Sequence, residues 1–147
     1  MAVSATIEIE SVFNGEDLTV RLTLPFPPSV NAIWKFIGAG TRNRRRVIRD
    51  PAYSTWIKTC DGCCLEQLGI SAYRRTIKGR YSLVLALDLS CFGRVDQDNC
   101  VKAVSDFLQR ARIIENDRWA WQTMIVWSEI ENSHEFSPLC HVTVKGI

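Results

Sequence analysis

The sequence predicts a single α+β domain, a mixed β-sheet packed by two main helices, and three observations carry that prediction. Leu18 to Leu24 alternates apolar and polar residues, the pattern of a half-buried strand. Tyr81 to Leu89 is a largely apolar run of strand length, with Leu83, Leu85, Leu87 and Leu89 on one side and Tyr81, Val84 and Ala86 adding apolar character, so it belongs inside the sheet. Two further stretches repeat apolar residues at three-and-four spacing: Trp56, Ile57, Cys60, Cys64, Leu65 and Leu68, then Val101, Val104, Phe107, Leu108 and Ala111. At 147 residues the chain is long enough for one real core and too short for two.

Residues 1–17 read as an amino-terminal extension, in which Ile7, Ile9 and Val12 alternate as a short strand and Asn14-Gly15 makes a turn. The domain proper spans residues 18–147. Pro25, Pro27 and Pro28 stop the strand that begins at Leu18, and Ser29 and Asn31 supply turn-forming side chains. Ile33 to Ile37 is a second short strand, and Arg44 to Arg49 a basic strand or arm. Asp50-Pro51 starts a helix, with Asp50 as cap and Pro51 at the first helical position, and Gly69 ends it near Leu68. The second helix runs from about Asp98 to Arg112. Trp119 to Ile130, with Trp119, Trp121, Ile125 and Trp127 at even spacing, is a strand; Glu131 to Pro138 is a loop, and Leu139 to Val144 the last strand.

No apolar run approaches the roughly 20 residues that span a bilayer, and Met1 to Asp17 has no basic start followed by an apolar stretch, so the sequence predicts a cytoplasmic protein without membrane contact. The net charge of +2 says little, but its distribution says more. Arg42, Arg44, Arg45, Arg46 and Arg49 fall within eight positions, and Arg74, Arg75, Lys78 and Arg80 form a second cluster. Both read either as phosphate-contacting surfaces or as solvated loops. The six cysteines read as reduced and mostly buried. Cys60, Cys63 and Cys64 lack the second close pair that a structural zinc site takes, and Cys140-His141 in a strand points to opposite faces.

The chemistry concentrates in Arg94-Val95-Asp96-Gln97-Asp98-Asn99-Cys100-Val101-Lys102 and, one helix later, Glu115-Asn116-Asp117. Asp96 and Asp98 are two apart, so in an extended chain their carboxylates project to one side and converge on one cation. Mg²⁺ suits such a set: it is small and hard, and takes one or two carboxylates plus waters and phosphate oxygens. Asp117 supplies a third carboxylate if the helix packs back across the sheet. Lys102, one helical turn beyond Asp98, stabilises charge on a phosphorus centre or orients water. Asn99 caps the helix or holds an aspartate, and Asp106 pairs with Lys102 four residues on.

The same residues have a purely structural reading. Aspartates cap helices and complement the positive end of the helix dipole. Lys102 with Asp106 is then a surface ion pair, and Asn116-Asp117 an ordinary turn.

One resemblance bears on the choice. Leu24-Pro25-Phe26-Pro27-Pro28-Ser29 with Asn31, then Asp96-x-Asp98-Asn99-x-x-Lys102 with Asp106, then Asn116-Asp117, occur in an order and spacing similar to those of the RusA family of Holliday junction resolvases, common in phages and prophages. The likeness covers nearly all of the chain from Leu22 onward. Arg112 stands where the family usually has glycine after the motif helix, and Asn116 where an aspartate is frequent.

The resemblance implies a RusA-like fold and a homodimeric, Mg²⁺-dependent endonuclease, with Mn²⁺ as substitute, that makes paired nicks in four-way DNA junctions in recombination and repair. The family's catalytic and metal-binding carboxylates carry over onto Asp96, Asp98 and Asp117, and its essential lysine onto Lys102. Arg42, Arg44, Arg45, Arg46, Arg49 and Arg94 are the candidate DNA contacts, and Phe92 reads either as an apolar wedge at an opened base step or as a core aromatic. Trp119, Trp121 and Trp127 read as core or dimer interface rather than as base-stacking platforms, because they lie in an alternating strand pattern. Two rivals stand beside this reading: a non-catalytic branched-DNA-binding protein, and a nuclease of broader flap or fork specificity.

Overall fold

The computed structural model describes residues 18–28, 34–37, 46–49, 51–72, 75–131 and 138–147. They form one α+β domain built on a four-stranded mixed sheet. The predicted strand Ile7 to Val12, the Asp50 cap, Asn31, Arg42, Arg44 and Arg45 lie outside the described residues.

The strands are β1 (Thr19–Pro25), β2 (Trp34–Ile37), β3 (Arg46–Arg49), β4 (Tyr81–Asp88), β5 (Ala120–Ser128) and β6 (Leu139–Gly146), with helices α1 (Pro51–Ala72) and α2 (Gln97–Arg110). The main sheet runs β1-β6-β4-β5, while β2 and β3 pair antiparallel as a separate ribbon. β6 is antiparallel to both its neighbours, and β5 lies parallel to β4. Parallel neighbours need a crossover connection, which α2 supplies. The apolar run at Tyr81 is accordingly an inner strand.

One face of the sheet carries the core. Val20, Leu22 and Leu24 of β1, Cys140, Val142 and Val144 of β6 and Tyr81, Leu83, Leu85 and Leu87 of β4 are all buried, and they join Trp56, Ile57, Cys60, Cys64 and Leu68 of α1 and Cys100, Val104, Phe107 and Leu108 of α2 in one cluster. Trp56 meets Phe107 edge to face at 5.9 Å, joining the two helices. The other face is only half-buried at Val84 and Ala86 and exposed at Met124 and Val126. Although β4 is apolar on both sides, both helices use the same face.

Leu65 is 53% exposed, because it lies about 100° round the helix from Cys64, and Cys63 takes its place in the buried stripe. Gly69 does interrupt α1, at φ 68°, where a side chain would be strained, but a short helical stretch follows to Ala72. Leu89 is 44% exposed because the strand has already turned into a 3-10 turn, Leu89–Cys91.

The two sheet edges are treated differently. Along β1, the Gln67 side chain of α1 accepts from Thr23 N–H at 2.8 Å and donates to Thr23 C=O at 2.7 Å, imitating a neighbouring strand. Trp56 Nε1 also donates to Pro25 C=O at 3.0 Å. β5 forms the opposite edge, and its pattern of exposure is high along nearly its whole length. No helix among the described residues is long and apolar enough to cross a membrane.

Candidate active site at the head of α2

Between β4 and α2 the chain does not pass straight from strand to helix. The 3-10 turn Leu89–Cys91 and a turn through Gly93, at φ 79°, intervene before Asp96. Asp96 itself is extended, at φ −84° and ψ 123°, and its carboxylate accepts the Asp98 N–H at 3.0 Å. It is therefore the cap of α2, satisfying one of the helix's orphan donors. The expected extended Asp96-x-Asp98 does not occur, because Gln97 and Asp98 are already helical. Both residues are exposed on the first turn of the helix. Asn99 is half-buried in that turn and is not the cap.

Lys102 Nζ lies 3.0 Å from Asp106 Oδ1, the expected exposed pair on the solvent side of α2. The hydrogen bond and charge of Asp106 hold the Lys102 pKa above the ordinary lysine value, and the charge of Asp117 pushes the same way.

The place of Asp117 is set by its backbone. α2 ends in a paired set of bonds, Arg112 N–H to Gln109 C=O at 3.1 Å and Ile113 N–H to Leu108 C=O at 2.9 Å, with Leu108 and Ile113 buried together. This Schellman ending requires a left-handed residue at Arg112, which adopts φ 59° without being glycine. The chain then enters a 3-10 turn, Asp117–Trp119, whose cap is Asn116: its side chain accepts from Arg118 N–H at 3.0 Å. Gln109 Oε1 accepts the Asp117 N–H at 3.0 Å, and Tyr81 Oη donates to the Asp117 C=O at 3.2 Å. Burial raises the Tyr81 pKa, and the Asp117 charge adds to it, so the phenol stays a donor.

Compared with models of known families and with curated proteins, the chain matches none. The site has to be judged on its own geometry. Among the described residues, no group of three or more His, Cys, Asp or Glu side chains is gathered as a metal centre. The fold sets two hard oxygen donors, Asp96 and Asp98, on the first turn at the positive end of α2, with Lys102 one turn along, while Asp117 follows the other end of the helix. That donor set fits Mg²⁺, which is held by one or two carboxylates and otherwise keeps water.

Of the arginines expected to contact DNA, Arg94 is exposed beside the motif, while Arg46 and Arg49 sit at opposite ends of β3, paired with Ile37 and Trp34. Five of the six cysteines are buried, and Cys91 is half-buried. Cys100 lies beneath the cap; burial raises its pKa to about 11, with the Asp96 charge contributing. Phe92 is 63% exposed, so it is not a core aromatic; its ring meets Trp127 edge to face at 5.3 Å.

Sequence reasoning missed Gln109 and Tyr81, whose roles depend on a long-range meeting, and it missed Asp88. Asp88 is 4% exposed at the end of β4; Oδ1 accepts Ser90 N–H at 2.9 Å, and Oδ2 is buried with no hydrogen-bond partner among the described residues. Trp127 Nε1 is a second such buried atom. The available signal for Asp88 was an acid closing an otherwise apolar run, since buried carboxylates are rare without a partner.

Proposed function

We propose that the chain is a Mg²⁺-dependent endonuclease acting on branched DNA, in the manner that its resemblance to the RusA resolvases implies. The observation that carries this reading is the set of polar groups along α2: Asp96 and Asp98 exposed on its first turn, Lys102 one turn on, and Asp117, whose backbone Gln109 and Tyr81 hold at the other end of the helix and whose charge acts on Lys102. Asp96 and Asp98 would hold the ion, with Asp117 contributing from the following turn. The bound ion would lower the pKa of water and neutralise charge on the phosphate. Lys102 offsets the negative charge that grows on the phosphoryl oxygens, and Asp106 keeps its ammonium protonated and fixed. The helix N-terminus adds positive potential where the phosphate approaches. A four-way junction has symmetry-related strands, so a homodimer with two equivalent sites suits the paired nicks.

A second reading has an observation in its favour. Asp96 is committed as a cap and Lys102 as an ion pair, which is what a non-catalytic DNA-binding protein would also show. The test incubates wild type and Asp98→Asn with a synthetic four-way junction, with and without Mg²⁺, beside flap and linear duplex controls. Wild type is expected to cut the junction only with Mg²⁺, and Asp98→Asn to bind without cutting. If neither cuts and both bind alike, the nuclease reading fails and the binding protein stands. Equal cutting of flaps would assign the broader specificity.

A further inference from the structure

Trp119 and Trp121 were expected in a core or an interface, and neither is in the core. Trp119 is 39% and Trp121 65% exposed. At Trp121 the register breaks: Tyr81 pairs with Ala120 and Ser82 with Gln122, leaving Trp121 as the extra residue of a bulge. Bulges re-aim side chains at sheet edges and near functional sites. Trp119 closes the 3-10 turn that begins at Asp117, so both indoles lie within four residues of the third carboxylate.

Each ring carries a cation. The Arg80 guanidinium lies 4.8 Å from the Trp121 ring centroid, and that of Arg118 lies 5.0 Å from Trp119. Their segments are joined: Ile77 N–H donates to Ile113 C=O at 2.9 Å, and Glu115 N–H to Ile77 C=O at 3.1 Å. This brings exposed Lys78, Arg80, Arg112 and Arg118 to one end of the sheet, against Glu115 and Asp117 as the acidic groups on the same segments.

We propose that this end of β5 is a stacking platform for unpaired nucleotides, with Trp121 and Trp119 taking base faces while Arg80 and Arg118 take phosphates. The proposal rests on nucleic acid being the partner and adds where, and in what form, it is held. Charge decides the occupant. A second copy related by a two-fold axis would bring the patch against its own image and its arginines towards one another, at a cost. A nucleotide strand supplies the opposite charge and, with every base, an aromatic face. Lying beside Asp117, the platform would hold a strand opened next to the scissile phosphate.

The test uses the full chain in EDTA with a short labelled oligothymidylate, reading affinity by fluorescence anisotropy, quenching of tryptophan emission, and mass by light scattering. Trp121→Ala is expected to weaken binding about tenfold, with less quenching and unchanged mass, while Trp121→Phe keeps most of the affinity. Arg80→Gln should reduce the salt dependence by about one charge. No binding by wild type, equal binding by Trp121→Ala, or a drop in mass in Trp121→Ala would overturn the proposal, the last assigning the surface to a second copy. Junction cleavage by wild type with Mg²⁺ is measured in parallel. Cleavage with unaltered Trp121→Ala binding removes the platform alone; weakened Trp121→Ala binding without wild-type cleavage removes the nuclease reading alone.

Discussion

The Asp96 carboxylate accepts the Asp98 backbone N–H at 3.0 Å, so the first acid of the motif caps the helix on which the second one rides. Structure and proposed chemistry are separable there by substitution. Asp96→Ala should cost about 1 kcal/mol of stability, the usual loss of a cap, whereas Asp96→Asn should retain most of it. Denaturant unfolding measures both. On the nuclease reading both variants lose cleavage, so an Asp96→Asn protein that cuts normally would confine Asp96 to capping.

Lys102 and Asp106 form an exposed pair four residues apart, worth at most about 0.5 kcal/mol. Asp106→Asn should therefore hardly move the unfolding midpoint, while Lys102→Met should abolish cleavage if the lysine acts on phosphate. The Lys102 pKa is raised in the folded protein, so the pair's contribution is fully present below the ordinary lysine value and is lost as pH rises through the folded one. Stability of Asp106→Asn relative to wild type should be flat with pH from neutrality to about 9, and a steep change in that range would count against the pairing.

Gln109 anchors the Asp117 N–H from the far end of α2. Gln109→Leu should cost under about 1 kcal/mol, because the site is exposed. The expected larger effect is on turnover at saturating junction DNA, with affinity little altered, since the residue positions Asp117 without needing to touch DNA. Equal losses in affinity and turnover would argue for direct contact.

Asp88 keeps one oxygen bonded to Ser90 N–H and one buried without a partner among the described residues. Asp88→Asn retains the acceptor and removes the charge, so it should stabilise by about 1 kcal/mol, while Asp88→Ala, which abandons Ser90 N–H, should be less stable than Asn. Loss of stability in Asp88→Asn would show that the carboxylate has a partner in solution.

Arg112 adopts φ 59° where the Schellman ending favours glycine. Arg112→Gly should raise stability by roughly 0.5–1 kcal/mol, and, by removing a cation from the proposed platform, weaken oligonucleotide binding. Thermal unfolding and the anisotropy assay read the two effects separately.

Much of this arrangement was legible in the sequence because it is local. Alternation marked β1, a continuous apolar run marked β4 as an inner strand, and Pro51 marked the start of α1; the spacing of Lys102 and Asp106 stated their pairing outright. Capping was legible as well, as the structural reading of Asp96. Periodicity did not tell where an apolar residue stops being core: Leu65, Trp119 and Trp121 all fit a pattern and all reach solvent.

What the sequence alone determined is the set of elements and the chemical inventory at the head of α2, since both depend on residues a few positions apart. Tertiary structure decided which face of the sheet is covered, that Gln109 and Tyr81 clamp Asp117, and that Trp121, the extra residue of a bulge, lies exposed beside Arg80. Those outcomes depend on strand order and register between segments tens of residues apart. A shift of one residue there exchanges buried for exposed without changing the sequence pattern on either side.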